Sequence, residues 1–246
     1  TGKPKGVSTH LNPLSHFLYW HTHTFKFTQQ DHFSMLSGLS HDIILRDIFT
    51  PLYVGATLYI PKNDIIRDPR LLVRWLIDKK ISIAHLTPAI AKLLLTRSNK
   101  DVQLNKITTL RYAFFGGDIL TISDVEQFKQ IASNVKCVNF YGTTETPQAK
   151  SYQIIDSKLI QKLKEKNIQA IPVGKGINDV QLVVLNSEQK LSRIDENGEI
   201  YIRSPYLSLG YLNDDDLTTE RFIQNPFNQN SKDRLYKTGD IGRFLS

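Results

Sequence analysis

A single cysteine, Cys137, stands among 246 residues, so the chain can form no internal disulfide and can supply neither a multi-cysteine zinc site nor an iron–sulfur cluster. That economy of thiols suggests a reducing compartment, the cytoplasm. No apolar run reaches the roughly 18 residues of a membrane-spanning helix, and the opening Thr1-Gly2-Lys3-Pro4-Lys5 lacks the apolar stretch of a secretory signal. No membrane partner is expected. The Walker phosphate loop is missing too, because neither Gly2-Lys3-Pro4 nor Gly174-Lys175-Gly176 supplies its closing hydroxyl. The dinucleotide fingerprint, the nucleophile elbow and the His-Glu-x-x-His zinc helix are also absent, which removes most common catalytic frameworks.

Hydrophobic residues make up 40% of the chain and charged residues 22%, the proportions of an ordinary folded protein. Lys and Arg total 31 against 24 Asp and Glu, a formal charge of +7, but the positive residues are spread out, with no zinc-finger spacing, basic region or aromatic RNA-binding motif. No nucleic-acid partner is expected. The densest basic stretch, Lys158 to Lys166, carries Leu159, Ile160 and Leu163 at helical spacing and reads as a solvated helix face.

Helices are expected over Pro69 to Lys80, Pro88 to Arg97 and Ser123 to Ala132, alternating with strands over Ala56 to Ile60, Ser82 to Leu86, Leu110 to Phe115 and Lys136 to Tyr141. Such alternation implies an α/β fold, a mostly parallel sheet covered by helices. After about Ile171 the texture changes to short runs, Val180 to Leu185 and Glu199 to Arg203, set between turn clusters. The expected division is an α/β part over residues 1–170 and a smaller β-rich subdomain over residues 171–246. His21 and His23 flank Thr22, and on a strand they would share a face, but two histidines without a third ligand are no metal site. The opening reads as the middle of a loop, so the chain is expected to be an excised segment.

Three clusters suit a polyphosphate and its metal, since glycines admit close backbone approach, hydroxyls and lysines contact phosphate, and a carboxylate holds magnesium. The first is Thr1-Gly2-Lys3-Pro4-Lys5-Gly6, for which a frayed basic terminus is an equally good reading. The second, Asn139 to Thr146, follows an apolar strand and so falls at its carboxyl end, where open α/β sheets bind ligands, although a turn capped by Thr and Glu would look the same. The third, Tyr236-Lys237-Thr238-Gly239-Asp240, presents an aspartate that could accept two hydrogen bonds from a ribose diol.

In this order the clusters resemble the adenylation core of the adenylate-forming superfamily, which includes acyl-CoA synthetases, luciferases and the adenylation domains of nonribosomal peptide synthetases. Thr1 to Gly6 is similar to the second half of that family's phosphate loop, Phe114-Phe115-Gly116-Gly117-Asp118 to its adenine-side loop, and Tyr141-Gly142-Thr143-Thr144-Glu145 to its Tyr-Gly-x-Thr-Glu signature. Gly198 to Ile202, Gly210-Tyr211-Leu212, Thr219 to Phe222 and Tyr236 to Asp240 continue the pattern, so the resemblance covers essentially the whole chain. The stretch Gly38 to Leu52, with Ala84-His85-Leu86-Thr87-Pro88-Ala89 and Tyr112 to Phe115, resembles peptide-synthetase adenylation domains and α-aminoadipate reductases in particular.

The resemblance implies that a carboxylate and MgATP give an acyl-adenylate, followed by thioester formation on the phosphopantetheine of a carrier domain in the same polypeptide. It implies that Tyr141 stacks on adenine, Asn139 meets its exocyclic amine, and Gly116, Gly117, Asp118, Gly142 and Thr143 line the nucleotide. Thr144 would hold the α-phosphate, Glu145 the magnesium, Asp240 the ribose, and Thr1, Gly2, Lys3, Lys5 and Gly6 the outer phosphates. Asp42 matches the aspartate that pairs with an amino acid's ammonium, and Ile43, Arg46, His85, Phe114, Gly116, Phe140, Gln148 and Ala149 match the other pocket positions. Arg46 and His85 would suit a second carboxylate, as in α-aminoadipate, although Arg46 could instead pair with Asp42 or Asp47. The family's C-terminal lid has no counterpart here, so the segment is expected to be inactive alone. A free-standing acyl-CoA ligase and a non-catalytic module that binds nucleotide or a carrier remain the rival readings.

Overall fold

A computed structural model describes residues 5–38, 42–95 and 106–246. The chain divides into two compact units. One comprises His21–Tyr141 and Tyr152–Gly174; the other comprises the described residues up to Trp20 with Gly142–Ser151 and Lys175–Ser246.

The first unit is built on a mostly parallel sheet whose strands run in the order Thr57–Tyr59, His32–Ser34, Ile83–Leu86, Tyr112–Phe115, Lys136–Tyr141 and Ser151–Ile155. Strands buried on both faces have no polar side to alternate, and Ile83–Leu86 is accordingly buried at every residue. Ala113, Phe115, Cys137 and Val138 are also fully buried. Burial pushes the Cys137 thiol up to about 12, so it is not a reactive thiolate at neutral pH. The register sets His85 beside Phe114 and Phe115 beside Asn139.

Helices Ile43–Val54, Pro69–Asp78, Pro88–Leu95, Ile122–Ile131 and Ser157–Glu165 alternate with these strands. Their starts follow local chemistry. Asp68 accepts hydrogen bonds from the amides of Arg70 and Leu71, with Pro69 in the first turn, and Thr121 and Asp124 form a reciprocal capping box. The helix expected to run to Lys80 ends at Asp78 because Lys80 turns left-handed, at φ 51°, and Ile81 closes back on the Leu76 carbonyl at 3.0 Å. The helix expected to reach Arg97 is described as far as Leu95, and Arg97 lies outside the described residues. Ser157–Glu165 buries only Leu163, which leaves its lysines on a solvated face, as its spacing predicts.

His21 and His23 do not lie on a strand. They belong to the helix Asn12–Phe25, where a separation of two residues turns side chains about 200° apart. His21 faces inward, in line with Phe17 and Phe25 four residues to either side, and is completely buried, whereas His23 is exposed.

The second unit carries an antiparallel sheet in the order Phe222–Gln224, Arg234–Gly242, Gly198–Arg203 and Gln181–Leu185. Leu185, Tyr201 and Leu235 form its core, with Val183 and Ile223 packed against them. A short ribbon pairs Val7–Ser8 with Gly210–Tyr211. No helix among the described residues is long and apolar enough to cross a membrane.

At one end of the parallel sheet a single carboxylate ties three elements together. Asp31, 2% exposed, accepts hydrogen bonds from Arg111 at 2.6 and 2.9 Å, from the Ser82 hydroxyl at 2.8 Å and from the Thr28 amide at 2.9 Å. Replacing Asp31 with Ala would leave those donors without their acceptor. We expect a loss of about 3 kcal/mol in stability, measured by urea unfolding of Asp31→Ala beside wild type.

Candidate active site

Within the sheet-bearing unit, the helix Ile43–Val54 brings the predicted pocket residues to the sheet. Asp42 sits at its N-terminus and makes no capping bond, and Arg46 follows one turn later, next to Asp47. The helix shows Arg46 and Asp47 to the interior, with Arg46 6% exposed and Asp47 fully buried. Burial lowers the Arg46 pKa from its ordinary value, while the Asp42 and Asp47 carboxylates pull it the other way. The guanidinium lies 5.6 Å from the centre of the Phe140 ring.

Phe140 stacks on Phe114 with ring centres 4.9 Å apart, and Phe114 lies 5.2 Å from the His85 ring. His21 closes the cluster, 4.7 Å from Phe114 and 5.3 Å from His85. The Nδ1–H of His85 donates to Asp47 Oδ1 at 2.7 Å. Burial lowers the His85 pKa although Asp47 raises it, and burial with the nearby His85 and Arg46 holds His21 well below the usual histidine range. The structure thus brings Arg46, His85, Phe114 and Phe140 together, with Asp42 and Ile43 at the start of the same helix.

The residues of this unit that the sequence resemblance assigns to the nucleotide lie at the strand ends. Gly117 turns at φ 86°, Asp118 accepts a hydrogen bond from the Ile119 amide at 2.7 Å, and a side chain at Gly116 would press on the Phe140 carbonyl at 3.4 Å. Asn139 donates through Nδ2 to the carbonyls of Ile171 and Pro172 at 3.3 and 3.1 Å. Its donor end is thereby committed to the backbone, and its acceptor end is the one suited to an amine N–H. Tyr141, half-buried, ends the strand.

In the other unit, Gly142 to Glu145 form a tight turn. Thr146 is fully buried, its hydroxyl accepts from the Thr143 amide at 3.1 Å, and its amide donates to the Thr143 carbonyl at 3.1 Å, which leaves Thr144 exposed at the tip. Glu145 Oε1 accepts a 2.6 Å hydrogen bond from the Tyr211 hydroxyl, which also lies 3.2 Å from that of Tyr236. Burial and the Glu145 carboxylate push Tyr211 up to about 12, and burial drives Tyr236 upward as well, so both phenols stay protonated as donors.

The predicted phosphate loop reaches the same place. Lys5 Nζ lies 5.6 Å over the Tyr211 ring, and the Gly6 carbonyl accepts from the Leu212 amide at 2.8 Å. Thr1, Gly2 and Lys3 lie outside the described residues. Asp240 is exposed on the strand Arg234–Gly242, its amide bonded to the Thr238 hydroxyl at 3.0 Å after the Gly239 turn at φ 80°. Gln148, at φ 66°, and Ala149 are both buried in this unit.

Sequence reasoning gave no role to Tyr211 or Tyr236, named Asp47 only as an alternative partner for Arg46, and weighed His21 only with His23 as a metal pair that it rejected. Tyr211 and Tyr236 stood inside motifs already singled out, and the spacing of His21 with Phe17 and Phe25 was a helical signal. Asp47 had no local signal beyond its place one residue after Arg46.

A family model described as AMP-binding enzyme matches residues 1–212. The chain belongs to the AMP-binding enzyme family. It is 38% identical over 266 residues to L-2-aminoadipate reductase of Schizosaccharomyces pombe, a match that covers 99% of the chain and 18% of that protein. It is 32% identical over 245 residues to a linear gramicidin synthase of Brevibacillus parabrevis, covering 100% of the chain and 3% of that protein. Among solved structures, the nonribosomal peptide synthetase FmoA3 superposes over the whole chain and 25% of its own, with a TM-score of 0.87 at 28% identity. The Vibrio cholerae adenylation domain AlmE, solved in complex with glycyl-adenosine-5'-phosphate, covers 98% of the chain and 43% of its own, with a TM-score of 0.83 at 25% identity. The chain therefore spans under a fifth of these two curated relatives. The α/β architecture expected from the sequence is that of these adenylation domains.

The signature turn of this AMP-binding enzyme leaves no room at Gly142. A Cβ there would lie 2.5 Å from the Gln148 carbonyl oxygen and 3.3 Å from the Lys150 amide nitrogen, both backbone atoms. Gly142→Ala must displace one of two chain segments, and we expect it to lower stability by about 2 kcal/mol, visible as a shifted denaturant midpoint at unchanged slope.

Proposed function

We propose that this chain activates the carboxylate of an amino acid with MgATP as an acyl-adenylate, for transfer to a phosphopantetheine thiol on a carrier domain. The amino acid carries a second carboxylate, as α-aminoadipate does. The observation that carries the substrate class is the buried pair of nitrogen bases: the Arg46 guanidinium, backed by Phe140, and the His85 imidazole, backed by Phe114, with Arg46 one helical turn from Asp42. A neutral aliphatic side chain would offer that guanidinium nothing in return for its desolvation, whereas a carboxylate matches its fork. Asp42 would pair with the substrate ammonium. The relatedness to L-2-aminoadipate reductase supports the same reading.

The residues present fit a magnesium nucleotide. Magnesium is usually held by one or two carboxylates together with substrate phosphates, and Glu145 supplies one such carboxylate, oriented by Tyr211. ATP supplies the activated phosphorus and the leaving pyrophosphate. Thr144 and Lys5 would neutralise phosphate charge, Asn139 and Tyr141 would seat the base, and Asp240 would accept from the ribose hydroxyls. These residues position and stabilise charge, and no protein nucleophile is needed.

Two experiments on the full-length protein test this. Glu145→Ala should abolish magnesium-dependent pyrophosphate exchange while unfolding remains cooperative; normal exchange would overturn the nucleotide assignment. In a panel of amino acids an acidic one should lead, and Arg46→Leu should cost it more than about 2 kcal/mol in kcat/KM. An aliphatic leader with a neutral Arg46→Leu would overturn the dicarboxylate assignment.

A further inference from the structure

We propose that His85 takes up a proton as an acidic amino acid binds, and that Asp47, bonded to its other ring nitrogen, is the positioning residue that supports the imidazolium. The proposal rests on the dicarboxylate reading of this pocket and adds a protonation step to it. His85 is 3% exposed, its Nδ1 lies 2.7 Å from Asp47 Oδ1, and its Nε2 is buried with no hydrogen-bond partner among the described residues. Asp47 is held in turn, its Oδ2 accepting the Ser37 amide at 3.2 Å. With Nδ1–H donating to Asp47, a neutral His85 offers a lone pair at Nε2, which a substrate carboxylate cannot use. Only the imidazolium donates from both nitrogens and can bridge Asp47 to a second carboxylate.

The surrounding charges favour the same step. Facing His85 are Asp47 and Arg46 from the helix Ile43–Val54, with Asp42 acting on Arg46, and His21 from the helix Asn12–Phe25. The adjacent strand contributes the uncharged Phe114. An acidic amino acid brings an ammonium to Asp42 and a side-chain carboxylate to Arg46. Arg46 then has two anions to serve, and buried Asp47 loses part of its countercharge. A proton on His85 supplies the missing charge, giving three cations, Arg46, the ammonium and His85, against three anions, Asp42, Asp47 and the side-chain carboxylate, the reacting carboxylate aside. The side-chain amide of the same amino acid brings no second anion, leaves Arg46 to Asp47, and donates an N–H to the lone pair of neutral His85.

The sign follows from the empty pocket. Burial places the His85 pKa below its ordinary 6.5 despite Asp47, so above neutrality the free protein holds the neutral imidazole. The proton must come from solvent, and binding of the acid weakens as pH rises; below the free pKa the residue is already charged and uptake ceases.

The test uses the full-length protein with α-aminoadipate and its side-chain amide as probes. Calorimetric titration at pH 7.5, in two buffers of different ionisation enthalpy, should show uptake of about one proton for the acid and none for the amide. The ratio of acid to amide kcat/KM in pyrophosphate exchange should fall about tenfold from pH 7 to pH 8, effects common to both probes cancelling. In His85→Gln and in Asp47→Asn, which keeps an acceptor for Ser37, the uptake should vanish and the ratio should flatten with pH. A preferred acid that binds without proton uptake and with a pH-independent ratio overturns the proposal and leaves the dicarboxylate reading standing. An amide that equals or outperforms the acid at every pH overturns that reading itself.

Discussion

The register between Ile83–Leu86 and Tyr112–Phe115 is the constraint on which the cluster of His85, Phe114, Arg46 and His21 depends. Parallel pairing places His85 directly beside Phe114, and the next pairing places Phe115 beside Asn139. Because side chains alternate faces along a strand, a slip of one residue would send His85 and Phe114 to the opposite side of the sheet, away from His21 and Arg46. The same register fixes where the strands stop, and so where Gly116, Gly117 and Tyr141 emerge. One set of backbone hydrogen bonds thus sets both the buried His85 cluster and the strand ends that carry Gly116, Gly117 and Tyr141.

The parallel sheet was legible because its central strands are buried on both faces and therefore read as nearly continuous apolar runs, with Lys136–Tyr141 matched to the residue. Boundaries were less legible: nothing local announces that Lys80 adopts a left-handed conformation, an uncommon choice for a residue with a long side chain. His21 misled because its neighbours Tyr19, Trp20, Thr22 and Thr24 are the aromatic and β-branched types of strands, while the burial follows the spacing of Phe17, His21 and Phe25. Partners distant in sequence were not legible at all. Glu145 and Tyr211 are 66 residues apart and Asp47 and His85 are 38 apart, and only the folded chain puts them in contact.

The two units surround charge differently. Around Glu145 the neighbours are phenols whose ionisation is suppressed, so the carboxylate is met by neutral donors. Around Arg46 the neighbours are carboxylates, and desolvation is answered by opposite charge. The first arrangement fixes the direction of one oxygen and suits a metal ligand. The second leaves a guanidinium shared between two carboxylates, and on the proposed reading a third, from the ligand, joins them.

Cys137 has a practical corollary. The chain's only thiol lies fully buried in a central strand with its ionisation displaced to about 12, so the folded protein presents maleimides and iodoacetamides with almost no thiolate. A cysteine introduced on the surface would carry essentially all of the label without removal of the native one. Fluorescent or spin probes can therefore be placed pairwise on the two compact units in an otherwise unaltered background, and the distance between them followed as nucleotide is added.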